Sequence, residues 1–234
     1  MRDTIYCAIG DIHGELDRLK ALHQRVLFFV EQALGGLPVQ FIHLGDLVDR
    51  GPDSCGVVEY LRNFEHVRHP NPITLRGNHE QLMLDAFLSG DRQSAKYRTW
   101  LTNGGSATEA SYANQPASTL VEHITWMQGL ETIHEVKDAG LIFVHAGIDP
   151  DIFPGCDDVV HMWTRRREFM DPRCWTAPAL QGQRVIHGHT PTRDFEPETS
   201  GSGQRVNIDT GAVYGGKLTA VLIQPGEDDI FLHS

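Results

Sequence analysis

The sequence predicts an α/β fold, and three observations carry that prediction. Short apolar, β-branched runs at residues 5–9, 39–44, 73–75, 141–144 and 185–186 read as buried strands. Segments with apolar residues at helical spacing alternate with the first three of these runs. Each of the five runs ends in a polar motif that contains or is bracketed by glycine. At 234 residues the chain fits one large domain, spanning residues 1–234, with ample length for a buried core.

The elements follow in order. After the strand at 5–9 and a motif loop, an amphipathic helix is expected over about 15–34. Leu16, Leu19, Leu22, Val26, Phe29 and Val30 form its apolar stripe. Gly35-Gly36 ends that helix and Pro38 reinforces the stop. The strand at 39–44 leads to Pro52-Asp53-Ser54, which has the form of a helix start ahead of Val57, Val58 and Leu61. A strand over 73–76 passes into a helix over 80–88. The order β-α-β-α-β-α predicts a sheet covered by helices on both faces.

Between about 90 and 118 the composition shifts to Gly, Ser, Ala, Thr and Asn, around Trp100-Leu101 and Asn103-Gly104-Gly105. This stretch reads as a partly helical insertion near the rim of a site. Helical signal returns over 120–130. Strands then dominate, at about 131–137, 141–146, 184–187, 205–208 and 218–224. Residues 149–183 carry few regular signals beyond a short helix near 159–162, and 196–204 is turn by composition. No repeat and no interdomain linker is visible.

The net charge of −11 argues against a nucleic-acid partner held through phosphate neutralisation. It also repels anionic substrates at long range, so local cations must supply the attraction. The four cysteines (Cys7, Cys55, Cys156 and Cys174) form no Cys-x-x-Cys pair, which disfavours a zinc ribbon or a disulfide framework. Cys7, inside a strand, reads as a packed thiol. Arg2-Asp3 runs straight into the first strand without a signal-peptide apolar region. No apolar run approaches the roughly 18 residues of a membrane span. A cytoplasmic protein with no membrane partner is expected.

The five motifs are Gly10-Asp11-Ile12-His13-Gly14, Gly45-Asp46-Leu47-Val48-Asp49-Arg50-Gly51, Gly77-Asn78-His79-Glu80, His145-Ala146-Gly147 and Gly188-His189-Thr190. Aspartate is a hard anionic ligand whose carboxylate can bridge two cations. Histidine and asparagine add neutral donors. Such residues recurring where buried strands end imply two adjacent divalent metals at one sheet edge. Sites of that kind hydrolyse phosphate esters.

With these motifs in hand, the chain resembles the phosphoprotein phosphatase family of metallophosphoesterases. Trp100-Leu101-Thr102-Asn103-Gly104-Gly105, Trp163-Thr164-Arg165, Gly188-His189-Thr190-Pro191 and the run from Ile208 to Gly216 narrow the resemblance to the small bacterial and bacteriophage serine/threonine protein phosphatases. It runs from about residue 5 to 224, dense at the motifs and loose at 106–120 and 149–158. The resemblance implies a calcineurin-like domain of two mixed sheets flanked by helices. It implies Asp11 and His13 on a first metal, Asp46 bridging, and Asn78, His145 and His189 on a second. It further implies that Arg50 and Arg165 clamp phosphate oxygens and that His79 is the general acid, oriented by Asp49.

Chemistry fits those implied roles. A water held between two cations loses its proton near neutral pH and can attack phosphorus without a covalent enzyme intermediate. Arginine stabilises the equatorial oxygens. A serine alkoxide is a strong base, so its departure needs a proton donor such as His79. Mn²⁺ suits the ligand set, and Fe or Zn would be accepted by it. The substrate so implied is a phosphoserine or phosphothreonine protein, with phosphotyrosine and aryl phosphates also accommodated.

Alternatives sit beside these readings. His187 competes with His189 in His-Gly-His-Thr, but the family places its ligand after the glycine. Arg165 opens an Arg-Arg-Arg run, and Trp-Thr-Arg selects the first of the three. Arg76 reads as support for the loops. His43, His66, His69, His123, His134 and His161 carry no motif. The rival activity is a symmetrical bis(5′-nucleosyl)-tetraphosphatase, whose members typically read GDLVARG and GNHD where this chain has Asp49 and Glu80. The motif His145-Ala146-Gly147 keeps that rival open. A non-enzymatic metal-holding scaffold for phosphopeptides is a third reading, weakened because every catalytic element is present.

Overall fold

The first strand, β1 (Ile5–Ile9), is buried on both faces, and this sets the layering. Ile5, Cys7 and Ile9 point to one side, where they pack with α1 (Leu16–Ala33), α2 (Ser54–Arg62) and α3 (Asn78–Leu88) through Leu19, Leu22, Val26, Val57, Val58 and Met83. Tyr6 and Ala8 point to the other side and meet a second sheet through Phe143, Ile186 and Val206. Each fully buried aliphatic side chain contributes about 1.5–3 kcal/mol, so a strand apolar at both parities is stable only between two covering layers. The protein is described here from a computed structural model, over residues 4–65 and 69–234; Arg2, Asp3 and His66 lie outside the described residues.

The first sheet also contains β2 (Val39–His43), β3 (Ile73–Thr74), β9 (Thr219–Ile223) and β10 (Ile230–His233), in the order β10-β9-β1-β2-β3. The β1–β2 and β2–β3 pairs are parallel, and the β1–β9 and β9–β10 pairs are antiparallel. The second sheet has β4 (Ile133–Val136), β5 (Leu141–Val144), β6 (Arg184–His187), β7 (Glu198–Thr199) and β8 (Arg205–Asn207), in the order β4-β5-β6-β8-β7. Its outer face is covered by residues 148–180, through Ile148, Phe153, Phe169 and Leu180. That segment includes the short helices α7 (Asp158–Trp163) and α8 (Arg167–Met170).

The covering of the first sheet differs from the sequence expectation. Helices do not cover both faces of a single sheet. One face of the first sheet carries helices and the other packs on the second sheet, as the family resemblance implied. A doubly buried apolar strand looks the same in sequence whether its second cover is a helix layer or a sheet. Two smaller differences have local causes. The turn at 196–204 holds the two-residue β7, paired to β8 at the sheet edge. The strand β10 was not anticipated, being a short partner of β9 beyond the polar run Gly226-Glu227-Asp228-Asp229.

The 90–118 insertion is helical over most of its length. It comprises α4 (Ala95–Trp100), a wide π-helical turn over Leu101–Gly105, and α5 (Ser106–Tyr112). The helix α6 (Ala117–Gln128) follows. Among the described residues, no helix is long and apolar enough to cross a membrane. The four cysteines form no disulfide.

Candidate metal centre

Parallel strands end at a common edge, so the loops after β1, β2, β3, β5 and β6 deliver their motifs to one place. Backbone bonds tie the loops together. Ile12 N–H and His13 N–H both donate to the Asp46 carbonyl, at 3.0 and 2.8 Å, and Gly188 N–H donates to the His145 carbonyl at 2.8 Å. Gly77 lets two loops touch: a Cβ there would lie 2.3 Å from Asp46 Oδ1 and 2.4 Å from Asp46 N.

Two groups of candidate ligand atoms form, His13/Asp46/His79 and Asp46/His145/His189, with the donor atoms of each group within 4.8 Å of one another. Asp46 belongs to both. Asn78 Oδ1 joins the second group, 3.0 Å from His145 Nε2 and 2.9 Å from His189 Nδ1. Asp11 lies beside them, its carboxylate accepting the His189 N–H at 3.0 Å. All seven side chains are buried.

The donor set fits a cation. His145 Nδ1 donates to the Leu44 carbonyl at 2.9 Å, so Nε2 faces the site. There it meets Asn78 Oδ1, Asp46 Oδ1 at 3.2 Å and His189 Nδ1 at 3.2 Å. Such a crowd of acceptors needs a shared positive centre. Burial opposes charge on His145, but Asp46, its hydrogen bond, Asp11 and Glu80 outweigh burial and push the ring up to about 9. A field that favours a proton there favours a metal cation on the same ground. Burial and its neighbours Asp209 and Asp46 hold Asp11 well above the carboxylate range. Burial also works against ionisation of Asp46, but His145, His79 and His13 overcome it and hold Asp46 well below that range.

His13 offers the candidate site a neutral donor. Its Nδ1 donates to the Val48 carbonyl at 2.8 Å, leaving the Nε2 lone pair toward the site. Burial, aided by His79 and Arg50, holds its pKa down to about 3. Burial and His145 likewise hold His189 at about 2.

His79 Nδ1 donates to Asp49 Oδ2 at 2.8 Å, in a pair almost wholly closed to solvent. Trp100 Nε1–H and the Thr108 hydroxyl donate to Asp49 Oδ1 at 2.9 and 2.7 Å. Arg50 and Arg165 stand exposed at the rim. Arg50 Nη1 donates to His13 Nε2, and Arg165 Nε donates to His189 Nε2 at 3.1 Å. Arg166 instead pairs with Asp149, Asp151 and Glu168. His187 lies outside both ligand groups, with its Nε2 accepting from Arg205 Nη1 at 3.0 Å. Arg76 points away from the ligands toward Gln128 and Asp158.

Several residues of the site were missing from the ligand and catalytic set read from sequence. Glu80 accepts N–H bonds from Asp46, Leu47, Val48 and Gly77 at 2.7–3.2 Å and so splints the second motif to the third. Burial and Asp46 push its carboxyl up to about 7. Asp209, raised to about 6 by burial, faces Asp11. Trp163 and Tyr214 are exposed aromatics at the rim, one 6.2 Å from the His189 ring and one 5.6 Å from the Arg50 guanidinium. Glu80 and Trp100 stood inside recognisable motifs; Thr108 had no signal.

The calcineurin-like phosphoesterase pattern matches residues 6–214. The chain belongs to this family. The phosphoesterase is 31% identical over 227 residues to serine/threonine-protein phosphatase 1 of Salmonella typhimurium, covering 92% of this chain and 90% of that relative. It is 28% identical over 235 residues to the asymmetrical bis(5′-nucleosyl)-tetraphosphatase of Bacillus thuringiensis, covering 92% and 89%. Among solved structures, a Saccharomyces cerevisiae protein serine/threonine phosphatase aligns with a TM-score of 0.57 at 16% identity, over 100% of this chain and 80% of that one. A cold-active protein tyrosine phosphatase aligns with a TM-score of 0.63 at 18% identity, over 99% and 82%. These structural likenesses speak to the fold alone. Family and site together make this phosphoesterase a metal-binding hydrolase.

Proposed function

We propose that the protein is a phosphomonoesterase acting on phosphoserine and phosphothreonine in proteins, and also on phosphotyrosine and aryl phosphates. The observation that carries this reading is the buried His79–Asp49 pair, 2.8 Å apart, with Trp100 and Thr108 holding the carboxylate. A serine alkoxide leaves poorly without a proton. A nucleotide phosphate is a weaker base and has less need of a positioned acid.

Asp11, His13 and Asp46 would hold one divalent cation, and Asp46, Asn78, His145 and His189 a second; Mn²⁺ is our assignment. Bound there, the cations would activate a water and withdraw charge from the phosphoryl oxygens. The chain's own residues supply the remainder. Arg50 and Arg165 bind the phosphate at the rim, where their planar forks can each pair with two oxygens. Arg165, whose Nε donates to His189 Nε2 at 3.1 Å, would be free to turn to substrate once His189 held a cation. His79 donates a proton from Nε2 to the leaving oxygen, and Asp49 keeps the other proton on Nδ1. The protein works in the cytoplasm on this reading, which its unpaired thiols support.

A second reading is dinucleoside polyphosphate hydrolysis. The Bacillus relative favours it, with an asymmetrical rather than the symmetrical activity weighed from the motifs. The deciding measurement is kcat/KM of Mn²⁺-reconstituted protein on a phosphoserine/phosphothreonine peptide and on diadenosine tetraphosphate, side by side. We expect strong preference for the peptide; preference for the dinucleotide would replace our reading with the second.

A further inference from the structure

Away from the metal ligands, a second chain of polar side chains ends on a thiol. Cys156 Sγ lies 3.4 Å from His161 Nε2. His161 Nδ1 lies 3.0 Å from the Thr132 hydroxyl, and that hydroxyl donates to Asp158 Oδ1 at 2.8 Å. The proton positions follow from this order. Thr132 spends its only hydrogen on Asp158, so it must accept from His161 Nδ1–H. The neutral ring therefore presents the Nε2 lone pair to the thiol. His161 and Thr132 are buried, which fixes the ring, while Cys156 keeps partial access to solvent. A nucleophile in reach of a base that a third group orients is the arrangement that activates thiols.

From this geometry we infer that Cys156 is an activated nucleophilic thiol, a covalent modification site for soft electrophiles and hydroperoxides. His161 Nε2 takes the thiol proton as sulfur attacks, and Asp158 acts through Thr132 to orient the ring. With hydrogen peroxide as co-reactant, the Cys156 sulfur attacks one peroxide oxygen as its proton passes to His161. The S–O bond forms as the O–O bond breaks, and the proton held on His161 leaves with the released hydroxide as water. Sulfur is oxidised by two electrons to the sulfenic acid and the peroxide is reduced by two.

The other groups around the ring are acidic. Asp158, Asp157 and Glu135 pull the His161 pKa up, while burial, the larger effect, holds it below the ordinary range, so the resting ring is neutral. Arg76 faces Asp158 from the end of β3, at 3.8 Å. The remaining thiols lack this setting. Cys7 and Cys55 are buried, and burial pushes both up, Cys55 to about 11. Cys174 is exposed, which makes it the internal reference.

The test is site-resolved alkylation of the intact protein with iodoacetamide, followed by peptide mass spectrometry across pH 5.5–9. At pH 6.5 Cys156 should react about tenfold faster than Cys174 although it is less exposed, because His161 stands within reach of its proton. Hydrogen peroxide with dimedone trapping should label Cys156 first. Cys156 reacting more slowly than Cys174 at every pH would overturn the inference. Thr132→Val, close in shape, should slow Cys156 several-fold. Cys174 should be unaffected, and Thr132→Ser should restore the rate. An unchanged Cys156 rate in Thr132→Val would also overturn it.

Discussion

On the proposed reading, Asp49 is the residue on which the chemistry turns. Its two oxygens accept from His79, Trp100 and Thr108, and its backbone N–H reaches both Ser54 and Thr108 at 3.0 and 2.9 Å. No freedom is left to the imidazole it holds. His79→Ala should therefore lower kcat on a phosphoserine peptide by about 10²-fold or more, the usual contribution of a positioned acid. On p-nitrophenyl phosphate, whose leaving group needs little protonation, the loss should stay below about tenfold. Equal losses on the two substrates would remove His79 from the acid role. Asp46→Asn should abolish turnover and reduce bound metal, read by elemental analysis after dialysis; retained activity would sink the bridging assignment. His13, Asp46, Asp49, Arg50 and His189 all have positive φ, between 45° and 73°. Such backbone costs of order 1–3 kcal/mol per residue, and the loop hydrogen bonds offset it. Asp49 and His79 were legible in sequence because each lies within a compact motif. The donors on Asp49 were not, because they stand 51 and 59 residues further along the chain.

Among the elements, the helical insertion gains a role that its composition did not disclose. Its wide turn brings the Gly104 carbonyl to the Arg50 N–H at 3.1 Å, with Gly104 at φ +111°. A Cβ on Gly104 would fall 2.6 Å from Arg50 Cγ and 3.0 Å from Arg50 N. Gly104→Ala should therefore raise KM for phosphopeptide through Arg50 and destabilise the fold by more than about 1 kcal/mol. A wild-type KM and melting temperature would show that the loop adjusts freely. Thr108→Val removes one donor to the Asp49 carboxylate and an acceptor for its N–H. It should cost about 1–3 kcal/mol in urea unfolding and lower kcat on phosphoserine more than on p-nitrophenyl phosphate. The strand–motif–helix elements were readable because hydrophobic period and glycine position are local signals. The insertion was only partly so, since helix α4, the wide turn and α5 are held by contacts to α2, α3 and Asp49 rather than by a strong apolar stripe.

At the scale of the whole molecule, polar groups are buried well away from the candidate metal centre as well. His23 Nε2 and His43 Nε2 lie 3.0 Å apart between α1 and β2, with Tyr60 on His23 and Thr74 on His43. Burial holds His43 down to about 4 and His23 well below its ordinary value. Both folded pKa values lie below the unfolded value near 6.5, so under that pH the unfolded chain binds more protons than the native one. Stability should thus be level above pH 7 and fall as the pH drops from 6.5 toward 4, by on the order of 1 kcal/mol per unit for each ring. Urea midpoints of metal-free protein at pH 7.5, 6.5, 5.5 and 4.5 would show this, and His43→Gln should make the decline shallower. A slope unchanged in that variant would place the acid sensitivity elsewhere.

The order of strands and helices and the five motifs were written in the sequence, because each depends on residues a few positions apart. The layering of two sheets was suggested there only by resemblance, since apolar strands do not say what will cover them. Tertiary structure alone decided what converges on those motifs. Glu80 clamps two loops, Asp209 lies opposite Asp11, Trp100 and Thr108 meet on Asp49, and Cys156 comes within reach of His161. The physical reason is range. Periodicity and turn chemistry act along the chain, whereas hydrogen bonds and buried charge act through space between residues that only the completed fold makes neighbours.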